Sequence, residues 1–250
     1  MRFNSDQIQK IGKEISSKVD GKTLFDEFSR GRYSTDASVY QIKPLGVVLP
    51  KDTNDVLNLM EYSQKNSVPL LARGGGSSQC GQTVGESVVL DYSKHQNKIL
   101  ELNVEEKYVW VQPGVVLDHL NAYLKPHGLW FPVDVSTSSR ATIGGMSANN
   151  SCGSRSLYYG NMVHNVLAIE AILDDGSIFN FDQINKNYLA TKNNQDRLYK
   201  IIDKFIDVRQ QVGGEIDANW PTTQRRVGGY NIDLIDPEGF NSSNLLVGSE

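Results

Sequence analysis

The sequence has few cysteines, no long apolar run and no excess of positive charge. Cys80 and Cys152 are the only cysteines among 250 residues, too few for a disulfide scaffold or an iron–sulfur cluster. No segment approaches the ~18 apolar residues that span a bilayer, and residues 1–6 lack the apolar region of a secretory signal. A net charge of -4 provides no basic surface for nucleic acid. We therefore expect reduced thiols and a cytoplasmic protein, with attachment to the inner face of a membrane as the alternative.

Two glycine-rich segments are the most informative features that the sequence does contain. The first covers residues 73–83 and the second residues 141–153, and each adjoins an apolar run typical of a strand. Glycine lets the main chain approach a ligand closely, and successive backbone N–H groups bind anions. The pair predicts one long anionic ligand that is held at both ends.

The apolar patterns predict an α+β fold, with a small β/α subdomain followed by a larger antiparallel β subdomain with flanking helices. We place the boundaries at 1–40 for an N-terminal helical arm, 41–97 for the first subdomain and 98–250 for the second. Helices are predicted over 6–29 (with a break at Gly21), 53–66, 116–124 and 197–212, and strands over 46–50, 68–72, 87–91, 98–103, 108–112, 166–173, 177–181 and 245–247.

The first glycine segment matches neither of two familiar nucleotide motifs. A dinucleotide fingerprint that starts at Gly74 requires glycine where Gln79 stands, and a Walker A loop requires lysine where Gln82 stands. A Walker loop also opens a helix, whereas residues 84–90 have the pattern of a turn and a strand. A phosphate cradle without ATP chemistry is favoured, and a glycine turn without a ligand is the alternative.

Over roughly residues 40–250, the ordered segments resemble the FAD-binding domain of the vanillyl-alcohol oxidase / p-cresol methylhydroxylase superfamily. The likeness is greatest to its flavin-dependent 2-hydroxy acid dehydrogenases, which act on glycolate, D-lactate or D-2-hydroxyglutarate. The matching segments are 69–78 with Gly81 and Gln82, 111–115, Phe131 and Pro132 with Asp134 and Ser136, 142–153 with Tyr159 and Gly160, 171–176, and 248–250.

The resemblance implies that the first loop surrounds the FAD pyrophosphate and that the later segments line the rest of the cofactor, with the isoalloxazine between the subdomains. The implied cofactor-binding residues are Arg73, Gly74, Gly75, Gly76, Ser77, Ser78, Gln79, Gln82, Pro113, Gly114, Pro132, Asp134, Ser136, Thr142, Ile143, Gly144, Gly145, Ala148, Asn149, Asn150, Ser151, Gly153, Tyr159, Gly160, Gly248 and Glu250. No metal-ligating residues are implied.

The sequence departs from the family pattern at two places, and each departure leads to a prediction. Some relatives attach FAD covalently through a histidine of the first loop, and Ser77 stands at that position here, so noncovalent FAD is expected. The family continues after Gly248-Ser249-Glu250 into a substrate-capping domain, so we expect the sequence to be part of a longer polypeptide. An iron–sulfur region or an electron-transfer partner outside residues 1–250 is left open.

The reaction implied is oxidation of a 2-hydroxy acid by hydride transfer to flavin N5. A carboxylate substrate favours a guanidinium partner, and residues 225–231 resemble a segment near the active site, which makes Arg226 and Tyr230 candidate catalytic residues. The alternative is a solvated basic turn with a packed aromatic ring. His164 is a weaker acid–base candidate, because the family's catalytic histidine comes from later sequence.

Two other functions fit the same pattern. One is the NADPH-dependent reduction of an enolpyruvyl sugar nucleotide on the same fold, and the other is a noncatalytic nucleotide-binding module. Reduction of FAD by NADPH would distinguish the first, and nucleotide affinity without redox activity would distinguish the second.

Overall fold

The computed structural model describes residues 3–190, 196–223, 226 and 229–250. Its helices are α1 Ser5–Ser16, α2 Glu27–Arg32, α3 Thr53–Asn66, α4 Leu117–Leu124, α5 Ile143–Ala148, α6 Ser156–Tyr159, α7 Met162–Asn165, α8 Lys186–Ala190, α9 Arg197–Gln211 and α10 Gly213–Asn219, with short 3-10 helices at Lys125–His127, Ile232–Leu234 and Ser242–Leu245. Its strands are β1 Lys22–Leu24, β2 Gly46–Leu49, β3 Leu70–Arg73, β4 Val88–Asp91, β5 Ile99–Asn103, β6 Tyr108–Val111, β7 Ile169–Ile172, β8 Ile178–Phe181, β9 Gln183–Asn185 and β10 Gly239–Asn241.

Internal contacts divide the described residues into two units. Unit 1 lies within Met1–Phe131, Ser136–Gly145 and Asp174–Gly176, and unit 2 lies within Pro132–Val135, Met146–Leu173 and Ser177–Glu250. Both units mix helices with strands, which confirms the predicted α+β class. The functional boundaries that we place after residues 40 and 97 stay a prediction.

Unit 1 is built on a four-stranded sheet in the order β1-β2-β4-β3. Strands β2, β4 and β3 are parallel, and β1 is antiparallel to β2. All four residues of β2 and of β4 are buried, as expected for central strands that read as continuous apolar runs. Their core contains Val47, Leu49 and Val89. Strand β3 ends at Arg73, so the first glycine segment begins at the carboxyl edge of this sheet.

A second cluster of unit 1 forms around the β5–β6 hairpin and α4. Val115, Leu120 and Leu124 are its buried members, and residues of both strands pack against them. The helix predicted over 116–124 is followed by a 3-10 turn, and the helical region ends at Gly128, which adopts the left-handed conformation with φ of 71°.

Unit 2 contains the β7–β8 hairpin, the β9–β10 pair and the long helix α9. Ile202 and Ile206 of α9 pack in a cluster with Ile184, Ile235, Phe240 and Leu245. No helix among the residues that the structure describes is long and apolar enough to cross a membrane.

The helix predicted over residues 6–29 is confirmed over 6–16 and 27–29, and so is its break at Gly21, but a strand, β1, lies over Lys22–Leu24. The backbone of Gly21 lies against the carbonyl oxygen of Leu49, with which a Cβ would overlap, and the next three residues pair with β2. Asp26 then starts α2 by accepting a hydrogen bond from the Ser29 N–H. The apolar spacing along residues 6–29 gave no sign of this strand, because local periodicity carries no information about tertiary contacts.

Two further elements differ from the prediction. Residues 143–148 form a helix despite the two glycines that disfavour one. The predicted strand at 245–247 is also wrong, because Asn241 caps a 3-10 helix that ends at Leu245. Three consecutive apolar residues are buried equally well in a single turn, so the run alone does not determine its conformation.

One buried carboxylate fastens the start of α3 to the turn before β1. The Asp55 carboxylate accepts hydrogen bonds from the backbone N–H groups of Asp20, Gly21 and Lys51 at 2.7–2.9 Å, and only 3% of the residue is exposed.

We expect Asp55→Ala to lower the free energy of unfolding by about 2 kcal/mol or more, because it leaves three part-buried donors without an acceptor. Asn54→Ala, an exposed neighbour in the same turn, should change it by less than about 0.5 kcal/mol. Urea denaturation of both variants measures the difference, and equal losses would show that Asp55 does not hold this turn.

Candidate functional site

The first glycine segment has no space for side chains at its start. A Cβ on Gly74 would overlap the hydroxyl oxygen of Thr142, and a Cβ on Gly75 would overlap the carbonyl oxygen of Arg140. Gly76 has a left-handed φ of 62°. Only glycine satisfies both constraints, so these residues run as bare backbone against residues 140–142 of the same unit.

This bare backbone leaves amide groups unpaired. Within the described part of the chain, the N–H groups of Gly75, Gly76 and Ser77 donate to no protein acceptor. Successive free amides in a turn that includes a left-handed residue form a concave anion-binding surface. The free amides are compatible with the predicted phosphate cradle, whose ligand stays a prediction.

The rest of the segment leads into strand β4 without a helix, which supports the exclusion of a Walker loop. Its polar side chains bind one another: the Ser78 hydroxyl donates to Gln82 Oε1 and accepts from the Cys80 N–H at 3.3 Å. Gln79 is exposed.

Arg73 is predicted to bind the cofactor, but its guanidinium contacts protein on the other side of the loop. Nη1 donates to the Thr83 carbonyl at 3.2 Å and Nη2 to the Thr35 carbonyl at 2.9 Å. The group also lies 5.2 Å from the centre of the Tyr33 ring. These contacts occupy the guanidinium and hold the loop in place.

The Pro113-Gly114 turn and the start of α5 are also brought together in unit 1. The Gly144 N–H donates to the Pro113 carbonyl at 2.9 Å, and a Cβ on Gly144 would lie 2.6 Å from that of Pro113. A Cβ on Gly114 would lie 2.3 Å from the carbonyl oxygen of Tyr92. The Thr142 hydroxyl accepts a 3.4 Å bond from the Gly145 N–H, while Ile143 packs into the apolar cluster around Leu120.

In unit 2, Asp134 organises the turn at 153–155. Its carboxylate accepts hydrogen bonds from the Ser154 hydroxyl at 2.7 Å and the Arg155 N–H at 2.9 Å. A Cβ on Gly153 would overlap the Asp134 carbonyl oxygen. Burial acts to raise the pKa of this carboxyl, but the two hydrogen bonds outweigh it, and the pKa lies below its ordinary value. Pro132 and Ser136 flank this residue in the chain.

The asparagines after α5 meet the segment 248–250 in unit 2. The N–H groups of Gly248 and Glu250 donate to the carbonyls of Ser147 and Ala148 at 3.0 and 3.2 Å. Gly248 is left-handed, with φ of 85°, and a Cβ there would lie 3.2 Å from that of Asn150. These hydrogen bonds bring the two distant segments into contact, and their role in a cofactor site stays a prediction.

Asn150 and Glu250 have unusual surroundings in this cluster. Asn150 is 1% exposed and left-handed, with φ of 47°, and its Oδ1 accepts a bond from the Val163 N–H at 3.0 Å. Desolvation raises the pKa of the Glu250 carboxyl, and the hydrogen bond from Asn149 Nδ2 offsets only part of that effect. Ser151 donates to Asn149 Oδ1 at 3.3 Å.

His164 has a structural contact of its own. Its Nδ1 accepts a hydrogen bond from the Asn161 N–H at 3.0 Å, and a Cβ on the left-handed Gly160 would lie 2.8 Å from the ring. This bond requires that Nδ1 carry no proton. His164 therefore caps α7 in the described structure, and its catalytic role stays a prediction. Tyr159, which precedes Gly160, stacks edge-on against Tyr158.

Arg226 and Tyr230, the other catalytic candidates, are described, whereas Arg225, Val227 and Gly228 of the same segment lie outside the described residues. Arg226 forms an ion pair with Asp233, and its guanidinium lies 5.1 Å from the centre of the Trp220 ring. Tyr230 is 53% exposed. Their catalytic roles stay predictions.

Two contacts beside the first glycine segment could not be predicted from the sequence. One is that of the Arg140 carbonyl with Gly75. The other is made by residues 35–37, which bind the loop through Asp36 and the Ala37 N–H. The aspartate two residues before Ser38 is typical of a turn, but nothing in the sequence indicates which segment the turn contacts. Among the described residues, no group of three His, Cys, Asp or Glu could hold a metal ion.

Several known proteins are similar to this chain. A family model described as an FAD binding domain matches residues 44–182. D-2-hydroxyglutarate dehydrogenase of Haemophilus influenzae is 36% identical over 233 residues, covering 87% of this chain and 22% of that protein. Glycolate oxidase subunit GlcD of Bacillus subtilis is 37% identical over 176 residues, covering 68% of this chain and 37% of that protein.

A solved structure shares the fold at low sequence identity. BBE-like 1 of Physcomitrella patens has a TM-score of 0.61 and 20% identity, over 71% of this chain and 39% of that chain. The chain spans less than a quarter of the length of the Haemophilus influenzae relative.

We expect Gly153→Ala to lower the midpoint of thermal unfolding, because its Cβ would overlap the backbone of Asp134, at a cost of about 1–3 kcal/mol. Gly214→Ala is the matched control, since a Cβ there has no neighbour within 4 Å and alanine favours the helix by up to about 1 kcal/mol. Calorimetry of both variants checks the contrast, and a neutral Gly153→Ala would mean that the turn at 153–155 does not need glycine.

Proposed function

The chain belongs to the FAD binding domain family, and we propose that it holds FAD noncovalently as the cofactor-binding part of a dehydrogenase that oxidises a 2-hydroxy acid. The observation that carries the cofactor assignment is the row of unpaired amides at Gly75, Gly76 and Ser77. The names of the relatives, which include D-2-hydroxyglutarate dehydrogenase and glycolate oxidase, support the class of substrate.

The residues present fit the cofactor. The FAD diphosphate is anionic, and a loop of free amides whose glycines exclude side chains suits close contact with its oxygens. No histidine lies within residues 73–83, and Ser77 lacks the nucleophilic nitrogen that covalent attachment there requires. These features support noncovalent binding at the first loop.

The polar groups of unit 2 support contacts with the flavin end of the cofactor. Asn149, Ser151 and Glu250 already form one hydrogen-bonded series, and Gly248 fixes the backbone next to it. We assign this series to the polar atoms of the ribityl chain or ring. Desolvation raises the pKa of the Glu250 carboxyl, whose Oε1 accepts the hydrogen bond from Asn149 Nδ2.

When bound, FAD supplies the acceptor for the hydride that leaves the α-carbon of the hydroxy acid. The chain's own candidates for the substrate carboxylate are Arg226 and Tyr230. Arg226 would have to exchange its ion pair with Asp233 for the substrate, a carboxylate-for-carboxylate replacement that keeps its charge paired. His164 Nε2 bears the ring proton while Nδ1 accepts from Asn161, so it can donate to an oxygen without losing that contact.

We propose a cytoplasmic location and an electron acceptor outside residues 1–250. Among the described residues, Cys80 and Cys152 are in no disulfide, and thiols stay reduced in the cytoplasm. The acceptor would be a redox partner or a cluster.

We expect the purified protein to retain a visible flavin band after added FAD and gel filtration, and denaturation to release that flavin. In the complete gene product, D-2-hydroxyglutarate, D-lactate or glycolate should bleach the band anaerobically, whereas NADPH should not. A protein that refuses FAD contradicts the cofactor assignment, and bleaching by NADPH alone contradicts the class of substrate while leaving FAD binding intact.

We expect Gly75→Ala to raise the Kd for FAD at least about tenfold, which corresponds to roughly 1.4 kcal/mol, because the backbone must move away from Arg140. Gly85→Ala is the control, since its Cβ would make only ordinary contacts at 3.5 Å or more. Quenching of flavin fluorescence measures both affinities. Equal affinity of the two variants would remove the first loop from the binding site.

A further inference from the structure

A segment outside the glycine loop holds the loop in place. We call residues 33–40 the clasp; they lie in unit 1, directly after α2. The clasp is closed at its base, where the Ile42 N–H donates to the Ser34 carbonyl at 2.8 Å and Thr35 forms a β-bridge with Gln41. It is therefore a defined turn with two anchored ends.

Three hydrogen bonds join the clasp to the loop at separate points. Arg73 Nη2 donates to the Thr35 carbonyl at 2.9 Å, the Thr83 hydroxyl donates to Asp36 Oδ2 at 3.0 Å, and the Ala37 N–H donates to the Gly76 carbonyl at 3.2 Å. The last bond fixes the peptide of the left-handed glycine at the centre of the free amides. The clasp thus contacts the beginning, middle and end of the loop.

Asp36 links the turn of the clasp to the loop. Its Oδ1 accepts from the Ser38 N–H at 2.8 Å while its Oδ2 accepts from Thr83. Burial acts to raise the pKa of this carboxyl, but these bonds outweigh it, and the pKa lies below its ordinary value. The group is therefore a carboxylate at neutral pH.

A carboxylate close to a diphosphate site is unfavourable by charge alone, since like charges repel. If Asp36 acted only through its charge, its removal would strengthen anion binding. Its benefit to the loop must come from the two hydrogen bonds, which hold the shape of the backbone that presents the amides. The two effects therefore predict opposite changes in FAD affinity when Asp36 is removed, which an experiment can distinguish.

We propose that Asp36 is a positioning residue for the cofactor, which acts through Thr83 and the clasp to hold residues 74–83 in their anion-binding shape. The inference rests on the proposed binding of FAD. It assigns to the clasp a role in affinity that is separate from the stability of the sheet.

The test compares Asp36→Ala, Asp36→Asn and Asp52→Ala for FAD affinity by flavin fluorescence and for unfolding of the apoprotein. Asp52 is the matched control, because its carboxylate also accepts backbone N–H bonds two and three residues ahead, at the start of α3. We expect Asp36→Ala to raise the Kd about tenfold, the equivalent of one hydrogen bond to a charged group. Asp36→Asn removes the charge and keeps Oδ1 as the acceptor for the Ser38 N–H, while its Nδ2 donates to the Thr83 hydroxyl, which then accepts. Because both segments stay joined, it should restore wild-type affinity or exceed it.

Asp52→Ala should destabilise the apoprotein to a similar extent and leave the Kd unchanged. An Asp36→Ala variant that binds FAD as tightly as the wild type, or an Asp52→Ala variant that loses as much affinity, would overturn the proposal. So would an Asp36→Asn variant as weak as Asp36→Ala. Failure of the wild type to bind FAD would instead count against the proposed function itself.

Discussion

The close approach of Gly74 and Gly75 to residues 140–142 is the constraint on which the binding loop depends. The two backbones are so near that a single Cβ at either glycine would overlap an oxygen of the neighbouring segment. The contact excludes side chains from the start of the loop, where the amides of Gly75, Gly76 and Ser77 donate to no acceptor among the described residues. The proposed anion site thus depends on close packing between residues 74–75 and 140–142.

The contacts of Arg73 differ from those that the sequence suggests. The family resemblance makes Arg73 a cofactor-binding residue. In the structure its guanidinium contacts two carbonyls and an aromatic ring. The side chain therefore stabilises the loop through protein contacts, and its role in binding the cofactor stays a prediction.

Much of the fold and site could be predicted because the signals are local. The buried strands β2 and β4 read as continuous apolar runs, and Gly74–Gly76 and Gly248 stand where the backbone needs glycine. The clasp and the Arg140 contact could not be predicted, since they join segments about forty and sixty-five residues apart along the chain. The strand over Lys22–Leu24, within the predicted helix, could not be predicted for the same reason, because its pairing with β2 overrides a helical pattern.

Peptide N–H groups neither gain nor lose protons at any pH at which a protein stays folded. A loop that holds an anion through Gly75, Gly76 and Ser77 consequently has no titration curve of its own, unlike a site built from lysine or histidine. Any change of its affinity with pH must then come from the ligand itself or from the side chains that shape the loop, such as the Asp36 carboxylate.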